Sequence, residues 1–381
     1  MGGLYFFLWA AVLMIPAIIL GIKERPIRYY GFFVTMVFAV LATVNKPLTL
    51  VYLATYCLWE LALVKYGVTS QKRRGRNKRI FLALIALSLA PLVTFKLSGL
   101  LGGSIFGFIG ISYLTFKSLQ VIIEIHDELI VEVKTFDFMY FLLFFPCLSS
   151  GPIDRSRRFN EDLYNVRPKK EYLELVGDGL FKIVQGMVYK FVLAAAFYQG
   201  MIYLGNPITG TDWTGSILAY MYCYGLYLFF DFAGYSLMAI GMGYVFGIVT
   251  PANFNKPFIS VDIKDFWDRW HITLSHWFRD FVFSRFMMAS IRGKWFKNKL
   301  TGASIGFMIN MTLMGVWHGL IWCYILYGVY HGLLLAVTEI YQKKSKFYKK
   351  NKKKKWYRAV SGIITFNLVM FGFLIFSGRL I

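Results

Sequence analysis

Long apolar stretches, separated by short polar connections, dominate the chain. Hydrophobic runs occupy residues 4–20, 29–44, 48–66 and 80–98. Each run approaches the roughly 20 residues that a helix needs to cross the hydrocarbon core of a bilayer. The pattern therefore predicts four membrane-spanning helices in the first hundred residues.

The rest of the chain continues this pattern, with two exceptions. The apolar segment 136–148 is short for a crossing, and both it and segment 271–290 lie between polar stretches that we assign to the same side of the membrane. We therefore expect re-entrant or interfacial segments there. The other runs predict spans at 104–123, 176–203, 216–249 and 359–377, and a helical hairpin at 301–341.

The composition agrees with a membrane protein. Hydrophobic residues make up 57% of the 381 positions and charged residues 16%, whereas about a quarter of a soluble domain is charged. Roughly 20 residues per span and short connections leave room for about ten or eleven crossings. We predict an all-α polytopic membrane protein that forms one integral-membrane domain over residues 1–381.

The charge distribution predicts the topology. The formal net charge is +22, and the basic residues form short runs such as 72–79, 292–299 and 343–355. Cytoplasmic loops carry such an excess of Lys and Arg, and the first apolar run has basic residues only after it, so we place the N-terminus outside. The surplus favours contact with anionic lipid or an acidic partner over nucleic acid.

His318 follows Trp317 in the predicted hairpin, inside the sequence Met-Gly-Val-Trp-His-Gly. A helix that starts near Thr301 would place His318 roughly 25 Å from its first turn. A neutral imidazole at that depth can take a proton from a hydroxyl group and later return it. The alternative is a histidine that only packs between helices and bonds to a carbonyl.

Aromatic and charged residues interleave around His271 as nowhere else in the chain. On one helix Ser275 would share its face, whereas His276 would not. A two-histidine zinc helix needs a four-residue spacing with a glutamate between, so no metal site is predicted. The alternative is an interfacial helix with Trp and Arg at the headgroups.

The remaining polar residues in apolar surroundings have simpler interpretations. We expect polar packing for His276 and His331, and a solvated loop for residues 124–128 around His126. Asp231 is the most isolated acid in an apolar run. An unpaired carboxylate there is costly, so Asp231 should bond to a helix terminus or a basic side chain and support the site.

Three stretches, 149–155, 253–285 and 314–319, resemble the membrane-bound O-acyltransferase (MBOAT) family. The pair Trp270-His271 is most similar to the bacterial cell-envelope branch of that family. The resemblance implies an MBOAT-type helical bundle with re-entrant segments and a central tunnel. It also implies that His271 and His318 are the catalytic residues and face that tunnel.

The same resemblance implies the reaction and its partners. D-alanine would move from a thioester on a small, acidic, cytosolic carrier protein across the membrane, for D-alanylation of lipoteichoic acid outside. No cofactor would be bound, because the phosphopantetheine arm of the carrier acts in trans. Other membrane proteins of the D-alanylation pathway would be partners, and the location would be the plasma membrane of a Gram-positive bacterium.

From these residues we predict His318 as the base and His271 as the group that positions the thioester. Spacing along the chain places no carboxylate to orient His318. Five residues are predicted to support the site: Ser275, Trp270, Asp265, Trp317 and Asp231. Four basic residues are predicted to dock the carrier: Arg292, Lys294, Lys297 and Lys299.

Two other classes of function fit parts of the pattern. One is an O-acetyltransferase that modifies a secreted or envelope polysaccharide such as alginate. The other is a transporter of an envelope precursor, which would also have intramembrane polar residues and re-entrant segments. A transporter does not account for the Trp-His motifs, and the sequence shows no inverted repeat.

Overall fold

The computed structural model describes residues 4–44, 46–100, 102, 107–205 and 213–380. Every regular element in these ranges is helical, so the all-α class is confirmed. The first seven α-helices are α1 (Leu4–Ile22), α2 (Arg28–Thr43), α3 (Pro47–Arg74), α4 (Lys78–Leu100), α5 (Ile111–His126), α6 (Thr135–Leu143) and α7 (Ser156–Tyr164).

The second half of the chain mixes long helices with short ones. The longest of them covers most of the apolar run 216–249. Three short helices lie in the segment around His271, and a fourth lies in the last basic run. The elements are α8 (Lys169–Met187), α9 (Ala194–Gly205), α10 (Trp213–Val245), α11 (Ile263–Trp267), α12 (Ile272–Phe278), α13 (Ser284–Arg292), α14 (Lys299–His318), α15 (Trp322–Lys344), α16 (Lys346–Asn351) and α17 (Lys355–Phe376).

Seven helical segments in the described part of the chain have the length and hydropathy of a membrane span: Pro47–Arg74, Lys78–Leu100, Lys169–Tyr203, Ile217–Val245, Lys299–His318, Trp322–Lys344 and Lys355–Phe376. Two shorter apolar helices, Leu8–Ile22 and Arg28–Thr43, precede them. The predicted spans other than 104–123 coincide with these helices. The total of ten or eleven crossings, the re-entrant segments and the central tunnel stay predictions.

The predicted span at 104–123 begins later than its hydropathy indicates. Residues 103–106 lie outside the described ranges, and α5 starts at Ile111 after Gly110, which has a φ of +88°. A Cβ at Gly110 would lie 2.0 Å from the carbonyl oxygen of Leu148. The close approach of Gly110 to the backbone of Leu148 requires glycine at this position, and α5 begins directly after it.

The prediction of a solvated loop at 124–128 is wrong for its first residues. Glu124 is buried within α5, and a guanidinium nitrogen of Arg157 lies 3.6 Å from its carboxylate. His126 stacks on the ring of Phe81 at a centroid distance of 4.1 Å. The density of charged residues along the sequence indicated exposure to solvent. Glu124 can be buried instead because Arg157, from another helix, lies beside its carboxylate.

The contacts divide the chain into two compact units. The first contains Met1–Gly186 and Tyr235–Pro251, and the second contains Met187–Gly234 and Ala252–Ile381. Both histidines predicted as catalytic belong to the second unit. The prediction of one integral-membrane domain stays a prediction.

Buried and half-buried charges in the first unit hold its loops to its helices. Arg158 pairs with both Asp154 and Asp162, and Asp162 also accepts from Arg167. The ammonium of Lys117, almost fully buried, donates to the carbonyls of Phe141 and Leu142 at the end of α6. Because each of these charges has polar partners, its burial is tolerated and the loop conformation is fixed.

In the second unit α14 and α15 form the predicted hairpin. A Cβ at Gly315 would lie 2.3 Å from the carbonyl oxygen of Tyr324, and one at Gly328 would lie 2.4 Å from that of Met311. Small residues let membrane helices approach so closely that their backbones touch. This packing fixes the end of α14, where His318 lies, against the first turns of α15.

Candidate active site

His271 occupies an unusual backbone position. The helix α12 begins one residue later, at Ile272, and His271 has φ and ψ of +43° and +51°, in the left-handed region. The backbone amide of Ile272 donates to the carbonyl of Asn253 at 2.9 Å. This conformation costs a residue with a Cβ about 1 kcal/mol or more, which makes it a feature held by its surroundings.

Asn253 determines which nitrogen of His271 carries the proton. Its side-chain oxygen accepts from the hydroxyl of Thr273 at 2.6 Å and from the backbone amide of Thr273 at 3.3 Å. The same oxygen lies 3.4 Å from Nδ1 of His271. Since that oxygen can only accept, Nδ1 must donate, and the neutral ring has Nε2 as its acceptor nitrogen.

Burial keeps His271 neutral. The side chain is almost completely inaccessible, and burial, reinforced by the nearby His318, lowers the pKa of His271 to about 3. Removing an imidazolium from water is costly, and a positive charge on His318 would make the charged form of His271 still less favourable. The ring of His271 therefore enters any reaction near neutral pH as a neutral acceptor.

Aromatic rings enclose the Trp270-His271 pair. Phe232 meets the imidazole of His271 edge-on at 4.6 Å. Trp270 stacks on Phe266 at 5.6 Å and contacts Phe373 of α17 at 4.8 Å. These rings exclude water from one side of the imidazole, which strengthens any electrostatic interaction made there.

His318 is the last residue of α14, about 30 Å along the axis from the start of that helix. Its partly buried ring lies edge-on to Phe376 at 5.0 Å and 4.7 Å from the ring of Trp317. The next residue, Gly319, has no room for a side chain, because a Cβ there would lie 2.6 Å from the ring of Tyr324. The Trp-His-Gly sequence thus ends the helix and fixes the imidazole among aromatic rings.

The structure brings the two predicted histidines into one electrostatic environment. A charge on His318 acts on His271 and lowers the pKa of His271 further. Phe373 contacts Trp270 and Phe376 contacts His318, and these two residues lie about one turn apart on α17. The last helix of the chain therefore joins the surroundings of both imidazoles.

A cavity of about 300 Å³ lies between α14 and the segment 264–283, which contains His271. Trp267 and Ser275 line one wall, and Asn310 and Met314 line the other. Positions 310, 314 and 318 share one face of a helix. The face of α14 that lines the cavity therefore carries His318 one turn beyond Met314.

The residues predicted to support the site have identifiable partners. The hydroxyl of Ser275 donates to the carbonyl of Trp270 at 3.1 Å, which closes the turn around His271. Asp265 accepts from Arg269 at 2.6 Å. Asp231 pairs with Lys190, so the prediction of a basic partner for this acid is confirmed. The roles of these residues in the reaction stay predictions.

The four predicted docking residues, Arg292, Lys294, Lys297 and Lys299, are all exposed. They occupy the end of α13, the connection after it and the first residue of α14. The basic patch 292–299 and His318 are therefore at opposite ends of one helix.

Sequence reasoning missed the contacts of two residues beside the predicted site. Asn253 opens the stretch that carries the family resemblance, but nothing in its spacing from His271 signals a hydrogen bond. The prediction of polar packing for His331 is wrong. Its fully buried ring lies 5.2 Å from the ring of Trp267 and 4.5 Å from that of Tyr327, and neither ring nitrogen has a hydrogen-bond partner among the described residues. Only the tertiary fold reveals that contact.

Among the described residues, no three His, Cys, Asp or Glu side chains form a group that would hold a metal ion. His276 has an acidic neighbour instead, since its Nε2 lies 3.9 Å from the carboxylate of Asp268. The prediction that the reaction uses no metal stays a prediction.

Comparison with known proteins decides the family. The model of the membrane-bound O-acyltransferase family matches residues 30–378. The chain belongs to this family. It is therefore an acyltransferase and a multi-pass membrane protein, as the helical architecture indicates.

Individual relatives fall into two groups. The chain is 40% identical to a teichoic acid D-alanyltransferase of Bacillus subtilis (strain 168), over 98% of this chain and 96% of the relative. It is 39% identical to a teichoic acid D-alanyltransferase of Streptococcus thermophilus, over 100% of this chain and 95% of the relative. A probable alginate O-acetylase of Pseudomonas aeruginosa is 34% identical, over 71% of this chain and 49% of the relative.

Proposed function

We propose that this acyltransferase moves D-alanine from a carrier-protein thioester across the plasma membrane of a Gram-positive bacterium, for D-alanylation of lipoteichoic acid. The observation that carries the proposal is geometric: within one unit, α17 contacts both Trp270, beside the buried His271, and His318. Similarity over nearly the full length of two teichoic acid D-alanyltransferases supports this substrate over alginate acetylation.

In the proposed step, His318 acts as general base. Its imidazole takes the proton from an acceptor hydroxyl while the oxygen attacks the thioester carbonyl carbon. The carbon–sulfur bond then breaks, and the imidazolium returns the proton to the departing thiolate. An ester and a free thiol result, and the histidine regains its starting form.

His271 would position the donor. With Nδ1 donating to Asn253, its Nε2 can accept a hydrogen bond from an N–H group of the D-alanyl or pantetheine moiety. A neutral acceptor in a water-poor site orients such a group without adding a charge beside His318. The phosphopantetheine arm would act in trans, as part of the donor.

The donor route would follow α14. The basic patch 292–299 precedes this helix, the cavity beside Asn310 and Met314 lies along it, and His318 ends it. We propose that an acidic carrier protein docks on the patch at the cytoplasmic face and that its arm reaches His318 along this line. The N-terminus would then lie outside.

Carrier deacylation tests the reaction directly. The full-length protein in nanodiscs is mixed with D-alanyl carrier protein and an acceptor extract that contains lipoteichoic acid, and loss of the thioester is followed with transfer of radiolabelled D-alanine. The proposal expects transfer to the acceptor. Transfer of acetyl groups to a polysaccharide, with none of D-alanine, would favour the acetyltransferase instead.

Docking is tested by charge reversal in nanodiscs of neutral lipid. Lys294→Glu/Lys297→Glu is compared with Lys349→Glu/Lys350→Glu, which makes the same charge change in the other basic run. We expect weaker carrier binding only for the first pair, together with weakening by salt, because the Debye length is about 8 Å at physiological ionic strength. Equal affinity for both pairs would contradict docking at 292–299.

Topology is tested with single cysteines placed beside His271 and at the N-terminus. A membrane-impermeant thiol reagent should reach the first only from the cytoplasmic side and the second only from outside. Labelling of the position beside His271 from outside alone would contradict the donor route.

A further inference from the structure

The connection between α15 and α17 is the most basic part of the chain. Nine lysines lie between residues 343 and 355, and the short helix α16 lies among them. The helices on both sides, Trp322–Lys344 and Lys355–Phe376, have the length and hydropathy of membrane spans. The connection therefore lies at a membrane surface, where headgroups are within reach.

A cavity of about 400 Å³ opens beside this connection, entirely within the second unit. One wall comes from the segment that leads to Trp270-His271, with Asp265 and Arg269. The rest comes from the connection and its flanking helices. The polar side chains that line these other walls include Tyr341, Gln342, Tyr348, Lys352, Tyr357 and Arg358.

The acidic groups of the cavity already have hydrogen-bond partners within the chain. Asp265 accepts from Arg269, and Asp262 accepts from the side-chain amide of Gln342 at 2.9 Å. Within residues 213–380, neither Lys352 nor Arg358 forms an ion pair. Arg269, Lys352 and Arg358 outnumber the two carboxylates of the cavity, and two of these cations are not engaged in ion pairs, which favours an anionic ligand.

Hydroxyl groups complete the environment that an anion needs. The hydroxyl of Tyr357 donates to that of Tyr341 at 3.3 Å, and the ring of Tyr348 lies 5.7 Å from the ammonium of Lys352. Arginine, lysine and hydroxyl donors around one space suit the oxygens of a phosphate group, which accept several charge-assisted hydrogen bonds.

Exposed aromatic residues indicate that the anion belongs to a lipid. Phe347 and Trp356 flank the cavity-lining residues in sequence, and about half of each side chain is exposed. Aromatic rings beside basic residues at the end of a span are typical of the headgroup region. A site for a soluble anion would not need these exposed rings.

We propose that this cavity binds the phosphate headgroup of an anionic phospholipid, with Lys352 and Arg358 as its charged ligands. The bound headgroup links α15 and α17 to Arg269, which is one residue from Trp270. Occupancy would therefore stabilise the segment that holds His271. The proposal does not depend on the acyl group or the acceptor of the reaction.

Lipid binding by the full-length protein tests the proposal without an activity assay. Detergent-solubilised protein is titrated with dioctanoyl phosphatidylglycerol, dioctanoyl phosphatidylcholine or inorganic phosphate, and bound lipid is counted by native mass spectrometry alongside the thermal unfolding midpoint. We expect binding and a raised midpoint with phosphatidylglycerol alone. Equal effects of phosphatidylcholine, or binding of inorganic phosphate with equal affinity, would overturn the proposal.

A matched pair of variants separates a site from general attraction. Lys352→Gln/Arg358→Gln and Lys349→Gln/Lys350→Gln each remove two charges from the connection, but only the first pair lines the cavity. We expect the first to weaken phosphatidylglycerol binding by roughly fivefold for each charge, or about 25-fold, and the second far less. Equal losses of lipid affinity in the two variants would overturn the proposal. If the first pair lowers the unfolding midpoint of the lipid-free protein, Lys352→Gln alone is tested in its place.

Discussion

The two histidines of the site are held in opposite ways. His271 precedes a short helix in a strained backbone conformation, is almost fully buried and has its tautomer set by Asn253. His318 ends a 20-residue helix, is partly exposed and lies among aromatic rings. Hydrogen bonding fixes the first ring and ring packing surrounds the second, which suits the proposed roles of a fixed hydrogen-bond acceptor for His271 and a proton carrier for His318.

Removal of the proton carrier should have the largest effect. We expect His318→Ala to lower the rate of D-alanine transfer by about 10²–10⁴-fold, because a positioned base contributes about that much. The rate is measured by carrier deacylation in nanodiscs. His126→Ala, which removes an imidazole from the first unit, is the control and should transfer at the wild-type rate. A near-parental rate for His318→Ala would refute the proposed mechanism.

Removal of His271, the proposed hydrogen-bond acceptor, should weaken the binding of the acyl donor instead. We expect His271→Ala to raise KM for D-alanyl carrier protein by roughly fivefold, since one hydrogen bond to a neutral group contributes about 1 kcal/mol. Steady-state kinetics with varied donor separate KM from kcat. A fall in kcat as large as that of His318→Ala, with KM unchanged, would show that His271 takes part in proton transfer.

Loss of the hydrogen bond that sets the tautomer of His271 should also raise KM for the donor, but by a smaller factor. Asn253→Leu leaves the imidazole of His271 in place but removes its Nδ1 partner, and we expect a few-fold higher KM for the donor. Thr273→Val removes the other side-chain donor to the Asn253 oxygen and keeps the histidine contact. The threonine variant should therefore keep the wild-type KM. Equal KM values for both variants would argue against the tautomer assignment.

The pH dependence of stability should show the smallest effect. The pKa of His271 is about 3 in the folded protein against 6.5 in an unfolded chain. Between these values the unfolded chain binds more protons, so stability should fall as pH decreases from about 6.5 towards 3. The thermal unfolding midpoint of purified protein between pH 7 and 5 measures this loss. His271→Gln should reduce the slope, and an unchanged slope would contradict burial of a neutral ring.

The sequence predicts the long elements well and the local geometry of the site poorly. Hydropathy gives the spans and the α14–α15 hairpin, because lipid imposes length and apolarity on a crossing helix. It does not reveal that α12 starts after His271, since the hydrogen-bond partner of that ring is 18 residues earlier in the chain. The buried Glu124 is missed for the same reason, because its partner Arg157 lies on another element.

A double-mutant cycle on single-turnover carrier deacylation tests most directly whether the two histidines form one site. Rates are measured for wild type, His271→Gln, His318→Gln and the double variant, each checked for an unchanged unfolding midpoint at pH 7. If both rings act on one reacting group, the double variant should be little slower than His318→Gln alone. If the two losses instead multiply as independent effects, or neither variant is slowed, the account of a single two-histidine site is contradicted.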